Sequence, residues 1–293
     1  MSSFDIHSFF DEITNTVTYV VSDIATKHCA VIDPVLDFSA PSGNISHHNA
    51  DRVIEYLDQH NLELKWILET HAHADHLSAS QYIKQHRGGQ IGIGEHIQEV
   101  QRVFKGIYNF GDEVASDGSQ FDHLFAEGDR IVLGETNISV MHTPGHTPAC
   151  VCYCVGDAIF VGDTLFMPDF GTARTDFPSG SAEQLFQSIQ KILALPDETR
   201  VFVGHDYKAP NRDVYQWQTT VGEQKHQNVH VKLGTTEQEF VEFRNTRDAG
   251  LDVPKLLLPS IQVNIQAGHL PEPESNQTHY LKIPLQIKAG RYD

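Results

Sequence analysis

The segment His71-Ala72-His73-Ala74-Asp75-His76 constrains this chain more than any other. It places three imidazoles and a carboxylate directly after the apolar run KWILE (65–69). A run of that length reads as a short buried strand. A tight loop leaving the strand end turns several side chains into one cavity. Imidazole and carboxylate together suit borderline divalent metals such as zinc and iron. Taken alone, the segment also admits a solvated, His-rich turn as the weaker reading.

Three further segments repeat the arrangement. His146 sits in HTPGHT, where Pro144 and Gly145 make a turn. Asp163 ends the apolar run AIFVGD, and His205 ends RVFVGHD. Each is a ligand-type residue at the C-terminal end of an apolar run. Loops held at strand ends by a scaffold are where function concentrates, so a metal-dependent enzyme displaces the bland reading.

The rest of the chain alternates strand and helix. Residues 4–10, 16–22 and 28–33 are β-branched or aromatic runs, and AVIDP closes the third at Asp33 and Pro34. Residues 39–49 read as a Ser, Gly and Asn-rich loop, and helical spacing follows at Val53, Ile54 and Leu57. Residues 77–86 read as a helix ended by Gly88-Gly89, and IGIGEHIQEVQRVFKGI as a strand and a helix. NISVMHT, CVCYCV, AIFVGD and RVFVGHD are four strands, and 181–195 is the clearest helix, opened by Ser181. TTEQEFVEFRNTRDAG predicts a helix ended by Gly250; the Pro-rich stretch after it is read as wrapping the core.

Composition excludes some functions. Lys and Arg number 21 against 39 Asp and Glu, a formal net charge of −18. Nucleic acid as a general partner needs a basic footprint, which is missing, and docking on anionic lipid is disfavoured for the same reason. No stretch approaches the roughly 20 apolar residues of a membrane span. No Lys or Arg precedes Lys27, so neither a secretory nor a mitochondrial leader fits, and a cytoplasmic location is expected. Cys150, Cys152 and Cys154 alternate and would share one strand face. They read either as a thiolate metal site or as small buried hydrophobes.

AVIDP with Asp33, HAHADH, PGHT with His146, GD with Asp163 and GH with His205 resemble the five ordered motifs of the metallo-β-lactamase superfamily. The resemblance implies an α/β fold, an αβ/βα sandwich. A catalytic core over 1–230 and a C-terminal extension over 231–293 packed on it are expected. In a two-metal member, His71, His73 and His146 would hold one ion and Asp75, His76 and His205 the other, with Asp163 bridging. That set implies two zinc ions and hydrolysis of a thioester or lactone, as in glyoxalase II or a lactonase.

The stretch ARTDFPSG after Asp163, and His205-Asp206-Tyr207, resemble instead the persulfide dioxygenases of the same fold. This resemblance implies one Fe(II) per chain on His71, His146 and Asp163, with His73, Asp75, His76 and His205 as supporting groups or a second metal's ligands. The substrates would be a low-molecular-weight thiol persulfide, such as glutathione persulfide, and O2. Arg174, Asp176 and Tyr207 are then expected at the chemistry, and Arg174, Tyr207, Lys208 and Arg212 at the substrate. No Cys follows Cys154, unlike the glutathione-using members, which leaves the thiol carrier open. The fold's members are often dimers or tetramers, so self-association is an open expectation.

Overall fold

The computed structural model describes residues 3–285. Its first half runs β1 (Phe4–Asp11), β2 (Thr16–Asp23), β3 (His28–Ile32), β4 (Val35–Ser39), β5 (Asn44–Ser46), α1 (His48–Gln59), β6 (Glu63–Leu68), β7 (Leu77–Ser78), α2 (Ser80–Arg87), β8 (Gln90–Gly94), α3 (Ile97–Tyr108) and β9 (His123–Phe125). The second half runs β10 (Arg130–Leu133), β11 (Thr136–His142), β12 (Val151–Val155), β13 (Ala158–Phe160), α4 (Ala182–Leu193), β14 (Arg200–Phe202), β15 (Gln218–Thr220), α5 (Val221–Gln227), α6 (Glu237–Asp248) and α7 (Leu257–Asn264).

Two six-stranded sheets result, in the orders β1-β2-β3-β6-β8-β9 and β10-β11-β12-β13-β14-β15, with a small third sheet β5-β4-β7. Strand alternation builds the layers. On β2, Tyr19 and Val21 face the space between the large sheets, where they meet Tyr153, Phe160 and Phe202. Val20, between them, faces the other way, toward Leu57, Ile83 and Phe104 of the first helical layer. On the far side, Ile159 and Val201 pack against Leu185 and Ile189 of α4 and Phe240 of α6. Helices therefore cover both outer faces of a sheet pair, the expected αβ/βα sandwich.

Three local expectations need correction. Residues 39–49 are not one loop: β4 and β5 pair as an antiparallel hairpin there. The helix expected from residue 77 begins at Ser80, because Leu77 and Ser78 pair with β4 instead. The Pro-rich stretch near the end contains α7, whose Pro259 lies in the first turn, where its missing N–H costs nothing. That helix is apolar on most sides and shows no amphipathic period to read. The helix at Ser181 is as expected, with the Ser181 hydroxyl accepting from Gln184 N. Residues 286–293 of the expected extension lie outside the described residues. Among the described residues, no helix is long and apolar enough to cross a membrane.

Candidate metal centre

The site forms where both large sheets release their strands toward the same end. β6 runs into Glu69, Thr70 and the His71–His76 loop. β13 runs into Gly162 and Asp163, and the parallel β14 into Gly204 and His205. Gly162 adopts φ +49, and a Cβ there would lie 2.5 Å from Thr70 Oγ1, so the two sheets close on each other at this point. His146 comes from the turn after β11. Gly145 there has φ +142, and its ideal Cβ would fall 2.4 Å from the Leu185 backbone of α4.

The ligand atoms of His71, His146 and Asp163 lie within 4.8 Å of one another. Asp163 Oδ2 is 3.8 Å from both His71 Nε2 and His146 Nε2. On its other side, Asp163 Oδ1 is 3.3 Å from His205 Nε2, which also stands 3.4 Å from Asp75 Oδ2. His73, Asp75 and His205 form a second group of the same compactness.

Hydrogen bonds at the far ring nitrogens aim these imidazoles. His146 Nδ1 donates to Arg174 O at 2.8 Å. His205 Nδ1 donates to Asn15 O at 3.2 Å. Thr70 Oγ1 gives its proton to Asp33 Oδ2 at 2.8 Å, so it accepts from His71 Nδ1 at 3.0 Å. Each arrangement leaves Nε2 with its lone pair toward the centre, as metal-binding histidines require. His73 is turned the other way round: its Nε2 faces Asp33 at 3.0 Å and Glu69 at 3.4 Å, which leaves Nδ1 inward.

These inward atoms test whether a metal fits. His71 Nε2, His73 Nδ1, His76 Nε2, His205 Nε2 and Asp163 Oδ1 are buried and have no hydrogen-bond partner. Buried polar atoms rarely stay unpaired. Five of them, brought together from three loops, fit a divalent cation.

The field around the centre is uneven. Burial, with His73 and His146 beside it, pushes the His71 ring well below the ordinary histidine value. Burial opposes charge on His73 as well, but Asp33 and Glu69 overcome it and raise that ring well above the ordinary value. Burial would raise the Asp75 carboxyl, yet His205 and His76 hold it well below the usual carboxylate range.

The other expected residues divide. Tyr207 stacks on His205, ring centroids 5.6 Å apart, beside Phe166 and Phe170. Phe177 stands 5.6 Å from the His146 ring. Arg174 supplies the carbonyl behind His146, while its guanidinium binds Asp176 through two 2.6 Å bonds and donates to Asp252 O. That guanidinium is committed to the protein and braces the loop. Lys208 points its ammonium over the Tyr215 ring, 4.4 Å from the centroid. Arg212 spends all five N–H donors on Asp169, Asp206 and Val214 O. Neither cation is gathered into the centre.

Cys150 and Cys152 are buried and Cys154 nearly so; burial pushes the Cys150 thiol up to about 12 and raises Cys152 as well. They join none of the groups of possible metal ligands among the described residues. The hydrophobe reading of these cysteines is therefore the correct one. Sequence reasoning passed over Glu69, Thr70, Asn15 and Asn264, whose contacts depend on distant loops meeting.

The chain belongs to the metallo-β-lactamase superfamily, whose family model matches residues 12–205. A "Beta-lactamase hydrolase-like protein" of Agrobacterium fabrum is 53% identical over 285 residues, covering 97% of this chain. The chain spans only 65% of that relative's length. "Glyoxylase B2" of Dictyostelium discoideum is 49% identical, covering 91% of each chain. The human protein named "Persulfide dioxygenase ETHE1, mitochondrial" is 27% identical over 90% of this chain and 88% of its own. The solved structure of ETHE1 from Myxococcus xanthus superposes with a TM-score of 0.71 at 30% identity, covering 90% of this chain and all of that one.

Proposed function

We propose that the chain is a non-haem Fe(II) persulfide dioxygenase. It would oxidise a low-molecular-weight thiol persulfide, such as glutathione persulfide: RSSH + O2 + H2O gives RSH and sulfurous acid, released as sulfite. The observation that carries this reading is the compact group of His71, His146 and Asp163, two imidazoles and one carboxylate. His71, His146 and Asp163 would hold the Fe(II), and the ion would supply the redox chemistry that joins a persulfide sulfur to O2.

The chain's own residues prepare that event. The Arg174 carbonyl and the Thr70 hydroxyl fix the rings of His146 and His71. Phe166, Phe177 and Tyr207 set aromatic rings against the imidazoles of His205 and His146. The Arg174–Asp176 pair keeps the Arg174 carbonyl in place. Likeness to the Myxococcus protein along its whole length supports the same reading.

A second reading is a dinuclear zinc hydrolase of a thioester or lactone. It is favoured by the second group, His73, Asp75 and His205, on the far side of Asp163. The comparisons weigh more heavily on this side: relatives at 49–53% identity are named hydrolase-like protein and glyoxylase, whereas the likeness to persulfide dioxygenases stands at 27–30%. Two zinc ions held by these residues would supply Lewis-acid activation of water for acyl hydrolysis. Metal analysis after anaerobic purification separates the two. About one iron per chain supports the dioxygenase; two zinc ions per chain, with hydrolysis of S-lactoylglutathione, replace it with the hydrolase.

A further inference from the structure

We infer that the C-terminal segment is a two-armed clamp, and that Asn264, Arg244 and Asp248 are positioning residues of the metal centre. None of them touches a ligand side chain. Asn264 holds the loop that carries His73, Asp75 and His76; Arg244 and Asp248 hold the segment whose Arg174 carbonyl aims His146.

The first arm is Asn264, the last residue of α7, only 4% exposed. Its side-chain amide donates to His73 O and to His76 O, both at 2.8 Å. Its Oδ1 accepts from Ser78 N at 2.8 Å. One side chain therefore fastens the ligand loop at three backbone points, from a position nearly 200 residues further along the chain. Both amide protons are consumed by carbonyls that would otherwise be buried unpaired.

The second arm is the pair on α6. The Arg244 side chain is 1% exposed, and its guanidinium meets Asp248 Oδ1 at 2.5 Å. Arg244 also donates to Thr172 O and Oγ1. Asp248 Oδ2 accepts from Thr175 N at 2.8 Å and from Thr175 Oγ1 at 3.2 Å. Thr172 and Thr175 flank Arg174, whose carbonyl aims His146. The buried pair thus fixes the backbone on both sides of that carbonyl.

The two arms reach different ligands from one segment, so the centre's geometry depends on residues outside the five metal motifs. Groups that orient ligands from behind typically change metal affinity 10–100-fold when removed. The clamp rests on the metal-centre reading but not on which metal or reaction is right.

The test is zinc titration of apo-protein against a chromophoric chelator, with cobalt(II) absorption as a report on geometry. Asn264→Leu is expected to bind zinc about 10–100-fold more weakly and to alter the cobalt bands. Asp248→Asn is expected to alter the cobalt bands through His146. Gln262→Leu is the control, since Gln262 sits in the same helix but its side chain bonds Leu258 and Lys282, away from the ligand loop. It should bind as the wild type does. If Asn264→Leu fails to fold, Asn264→Asp replaces it, keeping the Ser78 acceptor while losing the two donated bonds. Wild-type affinity and bands in the folded Asn264 variants overturn the clamp, as do wild-type bands in Asp248→Asn or equal weakening in Gln262→Leu. Absence of zinc binding by the wild type overturns the metal centre itself, and the clamp with it.

Discussion

Replacing Arg212 separates a structural cation from a substrate-binding one. The Asp206 carboxylate next to His205 is fully buried, and Arg212 supplies two of its bonds, at 2.6 and 2.7 Å. Two backbone N–H groups supply the others, Gln216 N at 2.7 Å and Lys208 N at 3.2 Å. Removing one partner of a buried ion pair costs about 3–5 kcal/mol, because the remaining charge is stranded. The surviving backbone donors keep Arg212→Leu near the lower end, about 3 kcal/mol. That corresponds to roughly 6–12 °C in melting temperature for a domain approaching this size. Urea unfolding followed by tryptophan fluorescence measures the loss directly. Asp206→Asn combined with Arg212→Leu should recover part of it, since no stranded charge remains. A loss under about 1 kcal/mol together with a large rise in KM would refute this reasoning and return Arg212 to the substrate.

Asp33→Asn keeps the left-handed backbone at φ +51, which Asn tolerates, but removes the charge 3.0 Å from His73 Nε2. Metal affinity should fall about 10–100-fold by competition titration, and unchanged affinity would count against the aiming role of Asp33. Gly145→Ala drives a Cβ to 2.4 Å from the Leu185 backbone, which should cost about 3 kcal/mol in chemical denaturation; an unchanged midpoint would mean that α4 yields. His230 is held neutral by burial first and by Arg244 and Arg247 next, which drops its pKa to about 4. The unfolded ring titrates near 6.5, so the unfolded state binds the extra proton between those values. Stability from this group is complete above about pH 6.5 and lost as pH falls toward 4. His230→Gln should flatten the stability–pH curve in that window, and a curve of unchanged slope would contradict the assignment.

Much of the centre was legible because its signals are local. A ligand-type residue after an apolar strand is visible at His71, His146, Asp163 and His205; the first three form one group, and His205 meets it through Asp163. The layers were legible from strand alternation and from the Ser181 cap. What the sequence hid is contact between distant segments. Nothing around Asn264 marks it as the partner of a loop at residues 73–78, because α7 is buried on most sides and shows no period. Lys208 and Arg212 looked available because sequence shows a cation but not the partner that occupies it. Tyr215, Asp169 and Asp206 occupy these two. Strand register decided the start of α2, since pairing with β4 took Leu77 and Ser78.

Oxygen uptake on adding glutathione persulfide to the anaerobically purified, iron-loaded protein tests the central claim most directly. The account predicts rapid consumption of one O2 per persulfide, with sulfite and thiol formed in equal amounts, and its loss in Asp163→Ala. No oxygen uptake by protein whose iron is bound in full would contradict it and leave the hydrolase reading in its place.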